Sequence, residues 1–419
     1  MVSESMIIKK VKAAKAAAEK MVTVDSAQKN TLLRRMSRAL KKNAEYLIQE
    51  NRKDIAFAEK QGYSSALIDR LRLNDARIKA MAECLNETAA LDDPVGEQIA
   101  SFKRPNGLLI KKVRVPIGVI GIIYESRPNV TSDCIGLCIK SGNAVVLKGG
   151  KEASFSNKAI FLVLREEILS SKLPAGCIQL MPSTDRESVG FLLKQDKYVD
   201  MIIPRGGEGL IRFVSQNSTI PVIKHYKGIC HTYVSDKADL SMAASICFNA
   251  KVQRPGVCNA METMLVHSKI ADRFLPEMIK QFQEAGVEIR GCMRTRKIVK
   301  KGVKRALAKD WDEEYLDLVL SVKVVDSLQE AVDHINTHGS HHSDAIITRD
   351  KREAEVFLQS VDSSSVYVNA STRFTDGYQF GFGAEIGIST DKLHARGPMG
   401  LRELTTYKYI IYGNGQIRQ

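Results

Sequence analysis

Residues 119–151 read VIGIIYESRPNVTSDCIGLCIKSGNAVVLKGGK. An unbroken apolar run, VIGIIY, leads into a segment of helical length and then into a second run, AVVLK, that ends on two glycines. Strands that read as continuous apolar runs are covered on both faces, as in parallel sheets joined by crossover helices. The stretch predicts a βαβ unit. Outward from it the same kind of run recurs at 177–181 (CIQLM), 199–204 (VDMIIP) and 221–226 (PVIKHY), with helices expected over 156–171 and 209–216. The pattern then repeats at 232–235 (TYVS), 262–267 (ETMLVH), 321–326 (SVKVVD), 345–348 (AIIT) and 366–369 (VYVN). The expectation is two consecutive α/β domains with parallel-type sheets and a boundary near residues 226–230.

Upstream, residues 1–91 read as helices. Leu33, Met36, Leu40 and Leu47 share one face of a helix begun near Asp25 and Ser26. A helix from Asn51 stops at Gly62, and Asn74 starts another. The first twenty residues mix Lys and Glu, which predicts an amphipathic helix rather than a secretory signal. Residues 99–115 read as a hairpin turning at Pro105-Asn106-Gly107. The tail 405–419 returns to strand character with Tyr407, Tyr409, Ile410, Ile411 and Tyr412. A terminal strand beside the ribbon accounts for both segments.

Composition narrows the function classes. The chain has 419 residues, 44% apolar and 26% charged, which excludes disorder for its bulk. No run approaches the ~18 apolar residues of a membrane span. The eight cysteines are scattered with no CxxC pair, so free thiols in a reducing cytoplasm are expected. Lys+Arg minus Asp+Glu is 62 − 48 = +14. Such charge suits nucleic acid or phosphorylated small molecules. Aromatics are 6% and do not interleave with the basic runs, which speaks against single-strand binding.

Cys258 lies in QRPGVCNAMET (253–263), after a Pro-Gly turn and just before an apolar strand. Backbone N–H groups exposed there can stabilise a thiolate and an oxyanion. The other cysteines sit among apolar or helical neighbours, where a small buried hydrophobe is the default. Glu262 is either a base or an ordinary strand-end carboxylate. Two Gly-rich turns, 148–151 (KGGK) and 204–209 (PRGGEG), each follow a strand and precede a helix, and their N–H groups suit phosphates. His338, His341 and His342 cluster in 336–344 as a metal site or a polar substrate loop. The basic loop 388–400 is an anion contact or a solvated connector.

Four ordered segments carry a family resemblance: GIIYESRPN (121–129), the cysteine segment (253–263), 325–346 with its AVDHIN core and His342-Ser-Asp344, and FGAEIGIS (382–389) continuing to HARGPMG (394–400). Over nearly its whole length the chain resembles the aldehyde dehydrogenase superfamily. The resemblance implies an NADP-binding domain over 1–228, a catalytic domain over 229–404, and a small β-flap for oligomerisation made of the 99–115 hairpin and 405–419. It implies Cys258 as nucleophile with Asn129 beside it. Lys148, Gly149, Lys151, Gly206, Gly207 and Asp317 would hold NADPH. Arg127, His342, Ser389 and Arg396 would contact substrate, and no metal is expected. Hydrolytic members carry a Glu-Leu-Gly-Gly segment whose Glu activates water, whereas here the matching stretch is His225-Tyr-Lys-Gly228. An enzyme that makes its thioester by expelling phosphate needs no such base. The implied reaction is therefore reduction of L-glutamyl 5-phosphate to the 5-semialdehyde with release of phosphate, in proline biosynthesis. Glutamate 5-kinase would be the pathway partner, and the form a cytoplasmic homodimer or homotetramer. The alternatives are a CoA-acylating aldehyde dehydrogenase and, in a different class, a basic nucleic-acid-binding protein.

Overall fold

The computed structural model describes residues 4–182, 185–224 and 227–418. The chain divides into two compact units. The first comprises Met1–Lys224, Gly381–Gly387 and Met399–Gln419, and the second His225–Phe380 and Ile388–Pro398. Residues 381–387 and 399–404, assigned from sequence to the catalytic domain, thus cluster with the first unit.

The first unit opens with the helices Glu4–Met21, Ser26–Lys42, Ala44–Lys60, Ser65–Leu71 and Asp75–Ala90. Asp25 and Gln28 form a reciprocal capping box at the second helix, and Asn74 accepts the N–H of Arg77 at the fifth. The helix expected to run from Asp25 through Leu47 breaks at Asn43. There the Asn43 side chain donates to the Ala39 carbonyl, 2.8 Å away, satisfying a last-turn oxygen. Leu47 is buried on the next helix instead. Asn51 starts no helix. It is buried in mid-helix, where its amide donates to Leu71 O (2.8 Å) and accepts from Leu73 N (2.7 Å).

The sheet of this unit has four parallel strands in the order Ile178–Leu180, Ala144–Gly149, Val119–Tyr124, Met201–Arg205. The described part of the run at 221–226, residues 221–224, is not a strand. It meets Met201–Arg205 in one isolated bridge, Ile202 to Val222, because Pro221 has no N–H to extend the ladder. From Val119–Tyr124 the chain builds to one side and then returns to add Met201–Arg205 on the other. A reversal of that kind opens a crevice outside the strands' carboxyl ends.

A separate antiparallel sheet joins Gln98–Lys103, Leu109–Pro116 and the terminal strand Thr405–Tyr412, with Leu109–Pro116 in the middle. Its hairpin closes through Arg104 N–H to Leu108 O (2.8 Å) and Gly107 N–H to Arg104 O (2.9 Å). The third loop residue must then be left-handed, and Gly107 has φ +91°.

The second unit holds seven parallel strands in the order Val303–Arg305, Glu288–Gly291, Val319–Val325, Met261–His267, Cys230–Val234, Ser343–Ile347, Ser365–Val368. Each of the five runs expected from sequence overlaps one strand, and four of them overrun its end by one residue. The first two strands in that order carry no apolar signal because they are short and include Glu288, Arg290, Lys304 and Arg305. The central strand Met261–His267 is buried at every residue and fixes the turn that precedes it.

Candidate active site

The helix Leu240–Val252 ends where Pro255 forbids continuation, and the irregular turn 253–260 then feeds the central strand Met261–His267. Cys258 is half-buried in that turn. Strands Met261–His267 and Cys230–Val234 are adjacent and parallel, so the residues entering each strand lie side by side. Gly228 therefore packs directly on the Cys258 turn. A Cβ at Gly228 would fall 2.0 Å from Cys258 O and 2.5 Å from its Cα, so only glycine fits. Below it the Cys230 thiol donates to Cys258 O at 3.2 Å.

A buried ion pair closes the neck of the turn. Lys251, just before it, meets Glu262, just after it, at 2.5 Å, and neither side chain reaches solvent. Burial pushes the Glu262 carboxyl up to about 7 despite the opposing pull of Lys251. The other Glu262 oxygen accepts the Leu316 N–H at 3.1 Å, where Leu316 holds φ +53°. Next to it Glu314 accepts the Gly228 N–H at 2.8 Å. One loop thus fastens both the turn and the glycine packed on it. Glu262 is consumed in this role and does not lie on an open strand end.

All eight cysteines are free. Burial raises the thiols of Cys134, Cys138, Cys177, Cys230 and Cys247. Cys292 differs. Burial acts to raise it, but hydrogen bonds from Thr295 and from backbone N–H groups bring it below the ordinary thiol value. Its sulfur is spent capping the short helix Met293–Ile298.

In the first unit, the carboxyl ends of the sheet gather Lys148, Gly149, Lys151, Gly206 and Gly207. Lys148 is buried, and its ammonium donates to Gly149 O at 3.3 Å. Desolvation lowers its pKa against the pull of Asp185, Glu152 and Glu125. Lys151 is exposed. Glu152 is buried and accepts the N–H of Ser126, a residue at φ +56°, at 2.6 Å. The two helix N-termini expected to stand open for phosphate are already capped. Asp54 accepts Phe155 N–H (3.1 Å) and Ser156 N–H (2.7 Å), and Glu125 accepts Gly207 N–H at 3.0 Å. Carboxylates satisfy the positive helix ends there, and a phosphate at Gly207 has to displace Glu125. The two lysines and the glycines at the strand reversal nonetheless fit a polyanionic dinucleotide.

The remaining expected residues are dispersed. Asn129 begins the helix Asn129–Lys140 in the first unit, is exposed, and donates to Asp133 Oδ2 at 2.8 Å. Arg127 is exposed two residues before it. Asp317 is exposed, but it belongs to the second unit, whereas Lys148, Gly149, Lys151, Gly206 and Gly207 belong to the first. His342 is wholly buried beside Ser343 (2.8 Å) and Cys230 (3.8 Å), and burial pulls its pKa down to about 4. Ser389 is also wholly buried, in the pair Ile388–Ser389 with Gly397–Pro398. Arg396 is committed to Asp362 at 2.9 Å. No surface for a solvent-borne substrate is formed by His342 or Ser389. Among the described residues no cluster of metal ligands forms. His225 and Tyr226, where the water-activating Glu is lacking, lie outside the described residues. Sequence reading missed Gly228, Glu314 and Arg373, whose partners at the turn lie 30 to 114 positions away (Gly228 to Cys258, Asn259 to Arg373).

Residues 2–290 match the model of the aldehyde dehydrogenase family. The gamma-glutamyl phosphate reductase of Thermodesulfovibrio yellowstonii is 55% identical over 416 residues, covering 99% of each chain. The crystal structure of gamma-glutamyl phosphate reductase from Thermotoga maritima superposes with a TM-score of 0.97 at 46% identity, covering 99% of this chain and 100% of that one. A glyceraldehyde-3-phosphate dehydrogenase of Methanocaldococcus jannaschii complexed with NADP shares the fold alone. Its TM-score is 0.69 at 16% identity, over 99% of this chain and 95% of that one.

Proposed function

The chain belongs to the aldehyde dehydrogenase family, and on that premise we propose that it reduces L-glutamyl 5-phosphate to L-glutamate 5-semialdehyde with release of phosphate, the step its name-bearing relatives catalyse in proline biosynthesis. The observation that carries the mechanism is the setting of Cys258. It is half-buried on a turn locked at its neck, while five of the other thiols are sealed in the core. The Cys258 thiolate attacks the acyl carbon, the acyl C–O bond breaks, and phosphate leaves. Phosphate is a good leaving group, so this step asks mainly for positioning and for oxyanion donors. The Cys258 N–H is the candidate donor. The family uses nicotinamide cofactors, and NADPH would supply the hydride that takes the thioester to the aldehyde. Lys148 and Lys151 would hold its anionic end.

The outer edge of Thr405–Tyr412 supports a homodimer or homotetramer. Among the described residues that strand pairs on one side only, and Tyr407, Tyr409, Ile411 and Tyr412 are exposed. No helix among the described residues is long and apolar enough to cross a membrane, and the free thiols fit a cytoplasmic setting.

The deciding experiment is NADP-dependent oxidation of glutamate semialdehyde with and without phosphate. Turnover should require phosphate and vanish in Cys258→Ala with cofactor binding retained. Phosphate-independent oxidation, or a tenth of the activity surviving in Cys258→Ala, overturns the reading.

A further inference from the structure

We propose that Arg373 and Arg254 form an anion subsite beside Cys258 that receives the phosphoryl group of the acyl phosphate and holds it as it leaves. The inference rests on the function proposed above and assigns the part of the site that selects for phosphate.

Arg373 sits in the turn Thr372–Phe374, after the edge strand Ser365–Val368. Two hydrogen bonds fasten that segment to the nucleophile turn. Thr372 Oγ1 donates to Asn259 O at 2.7 Å, and Asn259 Nδ2 donates to Thr375 O at 2.8 Å. The Arg373 guanidinium then spans the turn. Its Nε donates to Gln253 Oε1 at 2.9 Å and its Nη1 to Asn259 Oδ1. Gln253 lies five positions before Cys258 and Asn259 one position after it. Both braces are neutral amides, so they orient the fork without cancelling its charge.

Arg254, exposed and next to Gln253, brings a second guanidinium to the same turn. Burial lowers the pKa of Arg373, and the like charge of Arg254 lowers it further. Cys258 and Asp376 pull the other way. Asp376 is turned to the N–H groups of Tyr378 (2.9 Å) and Gln379 (3.3 Å). Among the described residues neither Arg254 nor Arg373 makes an ion pair. Other arginines of this unit do, as in Arg290–Asp310, Arg294–Asp326 and Arg396–Asp362. Two like charges at one turn, with no ion pair to either among the described residues, are a disposition suited to an anion, and a planar fork matches phosphate oxygens in pairs.

The chemistry balances. The Cys258 thiol loses its proton, sulfur bonds to the acyl carbon, and the carbon–oxygen bond breaks with its electron pair on the phosphate oxygen. The proton given up by the thiol ends on hydrogen phosphate, whose charge the two arginines offset.

The test varies inorganic phosphate in the NADP-dependent oxidation of glutamate semialdehyde by the full-length enzyme. Arg373→Lys keeps the charge and loses the fork, and its KM for phosphate should rise about tenfold. Arg254→Gln removes a side chain with no hydrogen bond among the described residues. It therefore tests the site without disturbing the fold, and its KM for phosphate should rise about threefold or more. In both variants the KM values for aldehyde and cofactor should stay within about twofold of the parent. Phosphate should also slow alkylation of Cys258 by iodoacetamide in the parent and lose that protection in Arg254→Gln. An unchanged phosphate KM in Arg254→Gln overturns the subsite. So does a common rise of all KM values in Arg373→Lys, which marks a brace and nothing more. A parent that ignores phosphate altogether removes the function reading itself.

Discussion

At the carboxyl ends of the first unit's sheet, the proposed cofactor end, two neighbouring side chains part company. Glu152 is drawn inward to the Ser126 N–H, while Lys151 stays in solvent. A carboxylate that would accept from a free ribose 2′-hydroxyl is thereby withdrawn, and a cation that suits a 2′-phosphate is presented. Lys151→Glu should lower the NADPH-to-NADH ratio of kcat/KM by about tenfold or more, since each ~1.4 kcal/mol is a decade. An unchanged ratio would show that Lys151 does not set the preference. At this scale the sequence was partly legible. Cys258 stood out because a Pro-Gly turn and an apolar strand flank it. Gly228 and Arg373 did not, because the need for a missing Cβ or for a brace arises only when distant segments meet.

The turn bearing Cys258 is held as an element by Lys251 and Glu262, one residue at the end of a helix and one at the start of a strand. Removing one member of a wholly buried pair strands the other's charge. Glu262→Gln should cost about 3–5 kcal/mol in urea unfolding, and the double replacement Lys251→Met with Glu262→Leu should recover most of it. If the double variant is as unstable as the single one, the pair is not what secures the turn. The terminal strand Thr405–Tyr412 invites a second test. Truncation at residue 404 should leave Leu109–Pro116 with one partner, and a two-stranded ribbon is marginal alone. The truncated protein should lose its oligomeric state by light scattering, whereas a monodisperse, active monomer from the full chain would contradict the proposed assembly. Strands with long apolar runs were legible from their pattern. The strands Glu288–Gly291 and Val303–Arg305 were not, since segments of three or four residues that each carry two charges give no periodic signal.

For the molecule as a whole, acid is the weak side of the second unit. His342 is buried as the neutral ring, with a pKa pulled down from 6.5 to about 4, and burial lowers His334 in the same direction. Between those values the unfolded chain takes up a proton that the folded one refuses. Stability is then full above about pH 6.5 and falls as pH drops toward 4, by roughly 3 kcal/mol for His342 alone. His342→Asn should show a flatter Tm between pH 7.5 and 5, and a slope equal to the parent's would refute the assignment. The two α/β halves were legible because each is a succession of local βαβ units. The return of 381–387 and 399–404 to the first unit was not, since no local pattern says on which unit a connecting segment packs. The return of the terminal strand Thr405–Tyr412 to the ribbon was legible from its strand character. That return has a consequence for biogenesis. Leu109–Pro116 leaves the ribosome nearly 290 residues before its second partner (405 − 116 = 289). At about 5–20 residues per second its edge waits roughly 15–60 s. Lys111, Lys112 and Arg114 line that waiting strand, and their mutual repulsion discourages nascent chains on one polysome from pairing with each other before each has made its own last strand.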